Sequence, residues 1–337
     1  MIEKPAPPPG QLMDRFGRRV TYVRLSVTDR CDLRCLYCMG EHTRFLPRNQ
    51  VLTLEELARL GRCFSELGVH RVRVTGGEPL VRRNVLWLFE HLGALPAITD
   101  LTLTTNGTQL ARYAGALKAA GVTRVNISLD SLDPARFRAI TRLGDLTATL
   151  AGIEAAQAAG FARVKLNCVV RKHRNHDEVP ALVRFALDRG LDLSFIEEMP
   201  LGDLGDQDRA AVHYPSDAIR RDLQPHWDLI PTTETTGGPA RYFRVAGSRS
   251  RIGFISPHSH NFCADCNRVR VTAAGRLLLC LGQEYSADLR RALRGNPTDD
   301  ARLKQAMVAA MALKPRGHDF AVTGRPVIPR HMNVTGG

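Results

Sequence analysis

No stretch of this 337-residue chain approaches the roughly 20 consecutive apolar residues that a membrane-spanning helix needs, so no integral membrane topology is expected. Aromatic residues are scarce, at 6%. The opening segment, Met1 to Gly10, carries Glu3 and four prolines without an apolar core; that argues against a signal peptide and makes the cytoplasm the expected address. Lysine is rare as well. Only six of the 47 basic residues are lysine (Lys4, Lys118, Lys165, Lys172, Lys304 and Lys314), and the rest are arginines spread along the chain. Against 34 acidic residues they leave a net charge of +13, a balance that usually signals an anionic partner. A chain-wide arginine bias nonetheless makes any one arginine uninformative by itself. With 44% hydrophobic residues, the chain can bury a sizeable core and is neither disordered nor fibrous.

Cysteine is the more discriminating residue. Six of the eight fall in two triplets, Cys31, Cys35, Cys38 and Cys263, Cys266, Cys280, while Cys63 and Cys168 stand alone. Without an export signal, thiols clustered at short spacing read as metal ligands rather than disulfides. The lone pair read as ordinary buried residues.

Short β-branched runs at residues 22–28, 71–75, 100–105, 124–129, 163–170 and 192–198 predict strands. Helices fit between them at 53–67, 80–92, 109–120, 147–159 and 176–189. The first shows its signals most fully, with a Thr53/Glu56 capping box and a stop at Gly68. Six consecutive βα units imply a parallel sheet with right-handed crossovers, either an incomplete βα barrel or a doubly wound sheet. Residues 1–20 predict a mobile or loosely docked arm. After Pro200 the pattern turns irregular, with Gly202, Gly205 and Pro231 to Pro239, so a boundary is placed there. Helices are expected again at 287–294 and 303–313, and residues 317–337, with Pro326 and Pro329, predict no regular element.

The first triplet is a CxxxCxxC directly after the first predicted strand. Three thiolates suit a four-iron four-sulfur cluster with one iron left open; a zinc site completed by His42 is the alternative. The second triplet is spaced C-x2-C-x13-C and reads equally well as a zinc ribbon, with His258 or His260 as fourth ligand, or as a second cluster. Thr75-Gly76-Gly77-Glu78-Pro79 ends the second predicted strand. Thr104 to Gly107, Ser128 to Asp130, Lys165 with Asn167, and Glu198 to Pro200 mark the next four. In a parallel barrel all these ends open on one face, where ligands bind.

With Tyr37 just before the last cysteine of CxxxCxxC, and with Gly76-Gly77-Glu78-Pro79 downstream, the chain resembles the radical S-adenosylmethionine superfamily. More closely it resembles the GTP 3′,8-cyclase family of molybdenum cofactor biosynthesis. The blocks that carry this are Asp14 to Arg18, Leu25 to Cys31, Arg73 to Leu80, Asn126 to Asp130, Cys263 to Arg270 and the terminal Gly336-Gly337. The resemblance implies an α/β fold, an incomplete (βα)6 TIM-like barrel over residues 21–200. Residues 201–337 would form a C-terminal α+β extension carrying a second Fe-S cluster.

The resemblance also implies the chemistry. A cluster on Cys31, Cys35 and Cys38 would reductively cleave S-adenosylmethionine held by Tyr37, Gly77, Ser128 and Met199. The resulting 5′-deoxyadenosyl radical would take hydrogen from the ribose 3′ carbon of GTP, which then bonds to guanine C8. Cys263, Cys266 and Cys280 would hold a second 4Fe-4S cluster whose open iron receives the guanine. Arg24, Arg73, Thr104, Lys165, Arg268 and Arg270 would contact GTP, in keeping with the affinity of guanidinium and ammonium groups for phosphate oxygens. Arg268, Arg270 and the Gly336-Gly337 tail would take part in catalysis. Implied partners are an electron donor such as flavodoxin or ferredoxin and a functional link to cyclic pyranopterin monophosphate synthase, without membrane or nucleic acid; a homodimer is compatible. Three departures from the family pattern stand out: Asp32 for Asn, Gly40 for Pro, and Thr335 for an aliphatic residue. The competing readings are another radical S-adenosylmethionine enzyme with an auxiliary cluster, of the peptide-maturase type, and a non-enzymatic zinc protein that binds nucleic acid.

Overall fold

The structure, a computed structural model, describes residues 10–204, 209–321 and 328–337. Six strands carry the parallel sheet: β1 (Tyr22–Ser26), β2 (Arg71–Thr75), β3 (Asp100–Thr105), β4 (Arg124–Ser128), β5 (Arg163–Val170) and β6 (Asp192–Glu197). They pair in chain order, each parallel to the next. Their aliphatic residues alternate with polar ones. Val23, Leu25, Val72, Val74, Leu101, Leu103, Val125 and Ile127 are all buried in one core with the helices, while the intervening polar side chains face the opposite side of the sheet.

The helices on the apolar side are α1 (Leu54–Glu66), α2 (Val85–Gly93), α3 (Leu110–Ala119), α4 (Pro134–Thr141), α5 (Leu146–Ala158) and α6 (Val179–Asp188). The Thr53/Glu56 capping box is present, with bonds of 3.1 and 2.8 Å. The expected helix over 80–92 starts later. Glu78 caps a single 3-10 turn over Pro79–Val81, and Asn84, at φ 59°, turns the chain before α2 begins. Helix α4 was not foreseen; Asp133 caps it and Pro134 occupies its first turn.

The region after residue 200 is more regular than its sequence suggested. It holds the short helices α7 (Arg209–Val212) and α8 (Ser216–Leu223). Strands follow: β7 (Leu229–Pro231), β8 (Arg241–Val245), β9 (Arg251–Ile255), β10 (Arg268–Val271), β11 (Arg276–Leu278) and β12 (Ser286–Asp288). Helices α9 (Leu289–Gly295), α10 (Asp300–Ala310) and α11 (Met332–Thr335) complete it. The last of these lies in the segment expected to be irregular. The strands extend both edges of the barrel sheet, in the order β12-β11-β10-β1-β2-β3-β4-β5-β6-β9-β8-β7. Strand β10 runs parallel to β1 and β9 parallel to β6, and the outer pairs are antiparallel.

Residues 10–20 are not loose. Leu12 and Val20 are fully buried, and Arg18 reaches the carbonyls of Cys263 and Arg316, each at 2.7 Å. Residues 1–9 lie outside the described residues, as do Gly205 and Pro326.

Helix α5 packs so closely on the turn after β3 that a Cβ on Gly152 would lie 2.2 Å from the Gly107 carbonyl oxygen. Gly152→Ala is expected to lower the unfolding free energy by about 1–3 kcal/mol, read as a lower denaturant midpoint at unchanged slope. An unchanged midpoint would show that α5 can shift off the turn without cost.

Candidate active site

The polar face of the sheet lines a cavity, and its most unusual feature is a row of like charges. The register places Arg270 of β10 beside Arg24 of β1, and Arg24 beside Arg73 of β2; Arg268 lies one inward step away on β10. Like charges directly opposite each other on neighbouring strands repel. Among the described residues no Asp or Glu side chain pairs with any of the four. Burial, reinforced by Arg270, lowers the Arg24 pKa, and Arg24 Nε is buried with no hydrogen-bond partner. Arg73 donates to the Tyr22 hydroxyl at 2.5 Å and to Thr104 Oγ1 at 3.1 Å. Burial opposes ionisation of Tyr22, but Arg73, Arg24 and Arg268 outweigh it and draw the phenol down to about 8. The row continues through Thr104 and Asn126 to Lys165. Burial lowers the Lys165 pKa, and its ammonium lies 3.3 Å from Ser194 Oγ and 3.4 Å from the Tyr242 hydroxyl. An arrangement of this kind is stable when an anion occupies it.

The first cysteine triplet sits at the C-terminal end of the same strands. Burial pushes all three thiols up, Cys38 to about 12, so they become thiolates only against a cationic group. The loop is held by its neighbours. Leu33 N–H donates to Cys31 Sγ at 3.3 Å. Asp32 accepts from Asn106 Nδ2 and Thr108 Oγ1, both at 2.6 Å, so the departure at position 32 is fully bonded. Tyr37 donates to Asp130 at 2.6 Å, and Asp130 also accepts the Val169 N–H. Burial pushes Asp130 up to about 6.

The Gly76-Gly77-Glu78-Pro79 turn passes against this loop. A Cβ on Gly77 would lie 2.4 Å from the Arg30 carbonyl oxygen, so only glycine fits. Glu78 is fully buried and accepts from Leu80 N–H at 3.0 Å, Thr105 Oγ1 at 2.8 Å and Asn106 N–H at 2.6 Å. One carboxylate thereby joins the ends of β2 and β3.

The second triplet lines the same cavity as the first. Here burial raises Cys280. Burial also acts upward on Cys266, but Lys314 and Arg268 overcome it and bring this thiol down to about 7. Lys314 lies 3.6 Å from Cys266 Sγ. The tail enters between the triplets. Met332 N–H donates to the Cys38 carbonyl at 3.1 Å, and Asn333 Nδ2 to the Asp29 carbonyl at 3.0 Å. Arg270 donates to the Gly336 and Gly337 oxygens at 3.3 and 2.9 Å.

Among the described residues no three His, Cys, Asp or Glu side chains converge as ligands of a single ion, and zinc needs its ligands at about 2.0–2.3 Å. His42 and His260 are exposed, and the His258 Nε2 meets the Glu198 carbonyl at 2.9 Å. A four-iron cluster takes one thiolate per iron and spreads its ligands, which is compatible with both triplets.

Residues 25–186 match the family model of the Radical SAM superfamily, and residues 191–320 that of Molybdenum Cofactor Synthesis C. A GTP 3′,8-cyclase of Marinobacter nauticus is 57% identical over 98% of this chain and 100% of its own length. The chain belongs to the GTP 3′,8-cyclase family. A second member, GTP 3′,8-cyclase 1 of Pseudomonas aeruginosa, is 57% identical over 96% of this chain and 99% of its own. Among solved structures, SuiB of Streptococcus suis bound to S-adenosylmethionine is similar in fold, with a TM-score of 0.61 at 14% identity over 94% of this chain and 77% of that one. Family membership bears out the resemblance drawn from the CxxxCxxC and Gly-Gly-Glu-Pro motifs.

All six triplet cysteines line the one cavity, together with Arg24, Tyr37, Arg73, Gly77, Thr104, Ser128, Lys165, Met199, Arg268, Arg270 and Gly337. Gly336 is reached by Arg270 alone among these. Sequence reasoning passed over Tyr22, Asp32 as a bonded anchor, the buried tie made by Glu78, and Lys314. For Lys314 a signal was present, since lysine is so rare here.

Burial, with a smaller push from Asp32, raises Glu78 to about 7 despite its hydrogen bonds. Unfolded, the group titrates near pH 4.3. The folded state therefore holds this proton more tightly, and the carboxyl costs stability increasingly as pH rises from about 4 to 7. Glu78→Gln is expected to gain stability relative to the parent over that window, by at most about 4 kcal/mol, read from denaturant unfolding at pH 5 and 7.5. Parallel pH profiles would contradict the assignment.

Proposed function

We propose that this chain converts GTP to (8S)-3′,8-cyclo-7,8-dihydroguanosine 5′-triphosphate, the first step of molybdenum cofactor biosynthesis. The observation that carries the reading is the coexistence, in one cavity, of two three-thiol sites and an arginine row that, among the described residues, lacks Asp or Glu partners. A triphosphate supplies the missing anion, and its affinity for the row comes from charge-assisted bonds to guanidinium forks.

Cys31, Cys35 and Cys38 are the residues that would hold the first cluster. Bound there, it supplies the electron that cleaves S-adenosylmethionine to the 5′-deoxyadenosyl radical. We assign Tyr37, Gly77, Ser128 and Met199 to S-adenosylmethionine. Gly77 suits the role because its backbone lines the cavity while the absent side chain lets the turn pack against Arg30, and Tyr37 is fixed by Asp130. Arg24, Arg73, Thr104, Lys165, Arg268 and Arg270 are assigned to GTP, with Thr104 and Tyr22 orienting the Arg73 fork. Cys263, Cys266 and Cys280 are assigned to a second 4Fe-4S cluster at the nucleotide's base end. The Gly336-Gly337 tail packs against Arg270 and the β1–β2 end, where it excludes water from the reacting groups.

We assign the electron supply to a low-potential carrier such as flavodoxin or ferredoxin, and the next step to cyclic pyranopterin monophosphate synthase. Among the described residues no helix is long and apolar enough to cross a membrane; we place the enzyme in the cytoplasm.

Anaerobic incubation of the iron-loaded protein with reductant and S-adenosylmethionine is expected to give 5′-deoxyadenosine and a cyclised nucleotide with GTP but not with ATP, CTP or UTP. Equal product formation without GTP would remove the assignment. A Cβ on Gly336, which has φ 81°, would lie 2.7 Å from Thr75 Oγ1 and 3.0 Å from Ser26 Cβ. Gly336→Ala is therefore expected to cut cyclisation at least about tenfold, the equivalent of roughly 1.4 kcal/mol, with iron content unchanged. Full turnover by this variant would deny the tail a role.

A further inference from the structure

Lys314 is 2% exposed and pairs with no carboxylate among the described residues. Its ammonium donates to the Leu279 carbonyl at 2.7 Å and to the Arg268 carbonyl at 3.0 Å, and it lies 3.6 Å from Cys266 Sγ. Those carbonyls flank the second triplet, one immediately before Cys280 and one two residues after Cys266. The segment that carries Lys314 wraps the same site. A Cβ on Gly317 would lie 3.5 Å from Cys263 Sγ. Arg18 donates to the Pro315, Arg316 and Cys263 carbonyls at 2.5, 2.7 and 2.7 Å, so the segment is pinned from behind. Arg268, by contrast, lines the cavity, with its guanidinium over the Phe262 ring.

A buried ammonium without an anion is costly, and carbonyl dipoles offset only part of that cost. The anion within reach is the Cys266 sulfur. We propose that Lys314 is a positioning residue for the second cluster, whose fixed positive charge balances the Cys266 thiolate and raises the cluster's reduction potential. The inference rests on the assignment of Cys263, Cys266 and Cys280 to a four-iron cluster. Net charge and hydrogen bonds to ligand sulfur are among the determinants of such potentials. Each electron added makes the cluster more negative, so a neighbouring cation favours the reduced form.

The test is an EPR-monitored redox titration of the fully reconstituted protein, with iron and sulfide content measured on the same samples. The parent protein is expected to show two clusters. In Lys314→Met, which keeps length but loses charge, one of the two potentials is expected to move to more negative values. In Lys314→Arg it stays near the parent value. Dithionite-driven formation of 5′-deoxyadenosine at the first cluster should be unaltered in both variants. A second cluster loaded in full in Lys314→Met at the parent potential would overturn the proposal. Loss of that cluster in both variants would also overturn it, by showing that the side chain matters only for packing. Should Lys314→Met alone fail to load, a loaded Lys314→Arg at the parent potential supports the role of charge. A parent protein that binds only one cluster would instead refute the cluster assignment itself.

Discussion

Three arginines stand side by side on three parallel strands, facing one cavity, and among the described residues none has an Asp or Glu side chain to meet it. Left empty, the row of Arg270, Arg24 and Arg73 is a concentration of like charge inside the fold. Much of the surrounding polar structure answers to it. Three guanidiniums draw the Tyr22 phenol pKa down against the effect of burial, and Thr104 takes up part of the Arg73 fork. The backbone oxygens of Gly336 and Gly337 turn toward Arg270. On the proposed assignment a nucleotide triphosphate would bring the remaining negative charge, so that substrate binding and relief of internal repulsion would be one event. The +13 net charge needs no nucleic acid to account for it.

The opposite economy governs the cluster loop. Its anchors are carboxyl groups, two of them buried: Glu78 bridges two strand ends, Asp130 holds Tyr37, and the half-buried Asp32 holds Asn106 and Thr108. Each carboxylate is satisfied by neutral donors rather than by arginine. The cavity is thus divided into a cationic floor and a hydrogen-bonded rim around the first triplet. The two regions meet at the ends of β1 and β2.

The six barrel strands were legible because their apolar residues alternate with polar ones and because Gly, Asn or Pro follow the ends of β2, β3 and β6. Four of the five expected interstrand helices also formed close to their expected spans. The fifth was cut short by Glu78 and Asn84, whose roles depend on partners distant in sequence. Helix α4 was hidden in a long βα gap that already held a stronger helical pattern in α5. The C-terminal strands escaped because several are only three residues long, too short for alternation to register. Helix α11 escaped because a four-residue turn has no periodicity; it is fixed by bonds to the Cys38 and Asp29 carbonyls. Among site residues the cysteines and glycines announced themselves by spacing. Lys314 did not, because it follows a helical pattern and reads there as a solvated terminal charge.

Both edges of the barrel are completed late in the chain. Strand β6 is covered by β9, and β1, the first strand made, by β10. A polypeptide leaving the ribosome N-terminus first therefore presents two open parallel edges until some seventy residues beyond β6 have emerged. Unpaired strand edges are templates for association with other chains. Synthesis of the last third of the molecule is thus also the step that protects the first two thirds from aggregation.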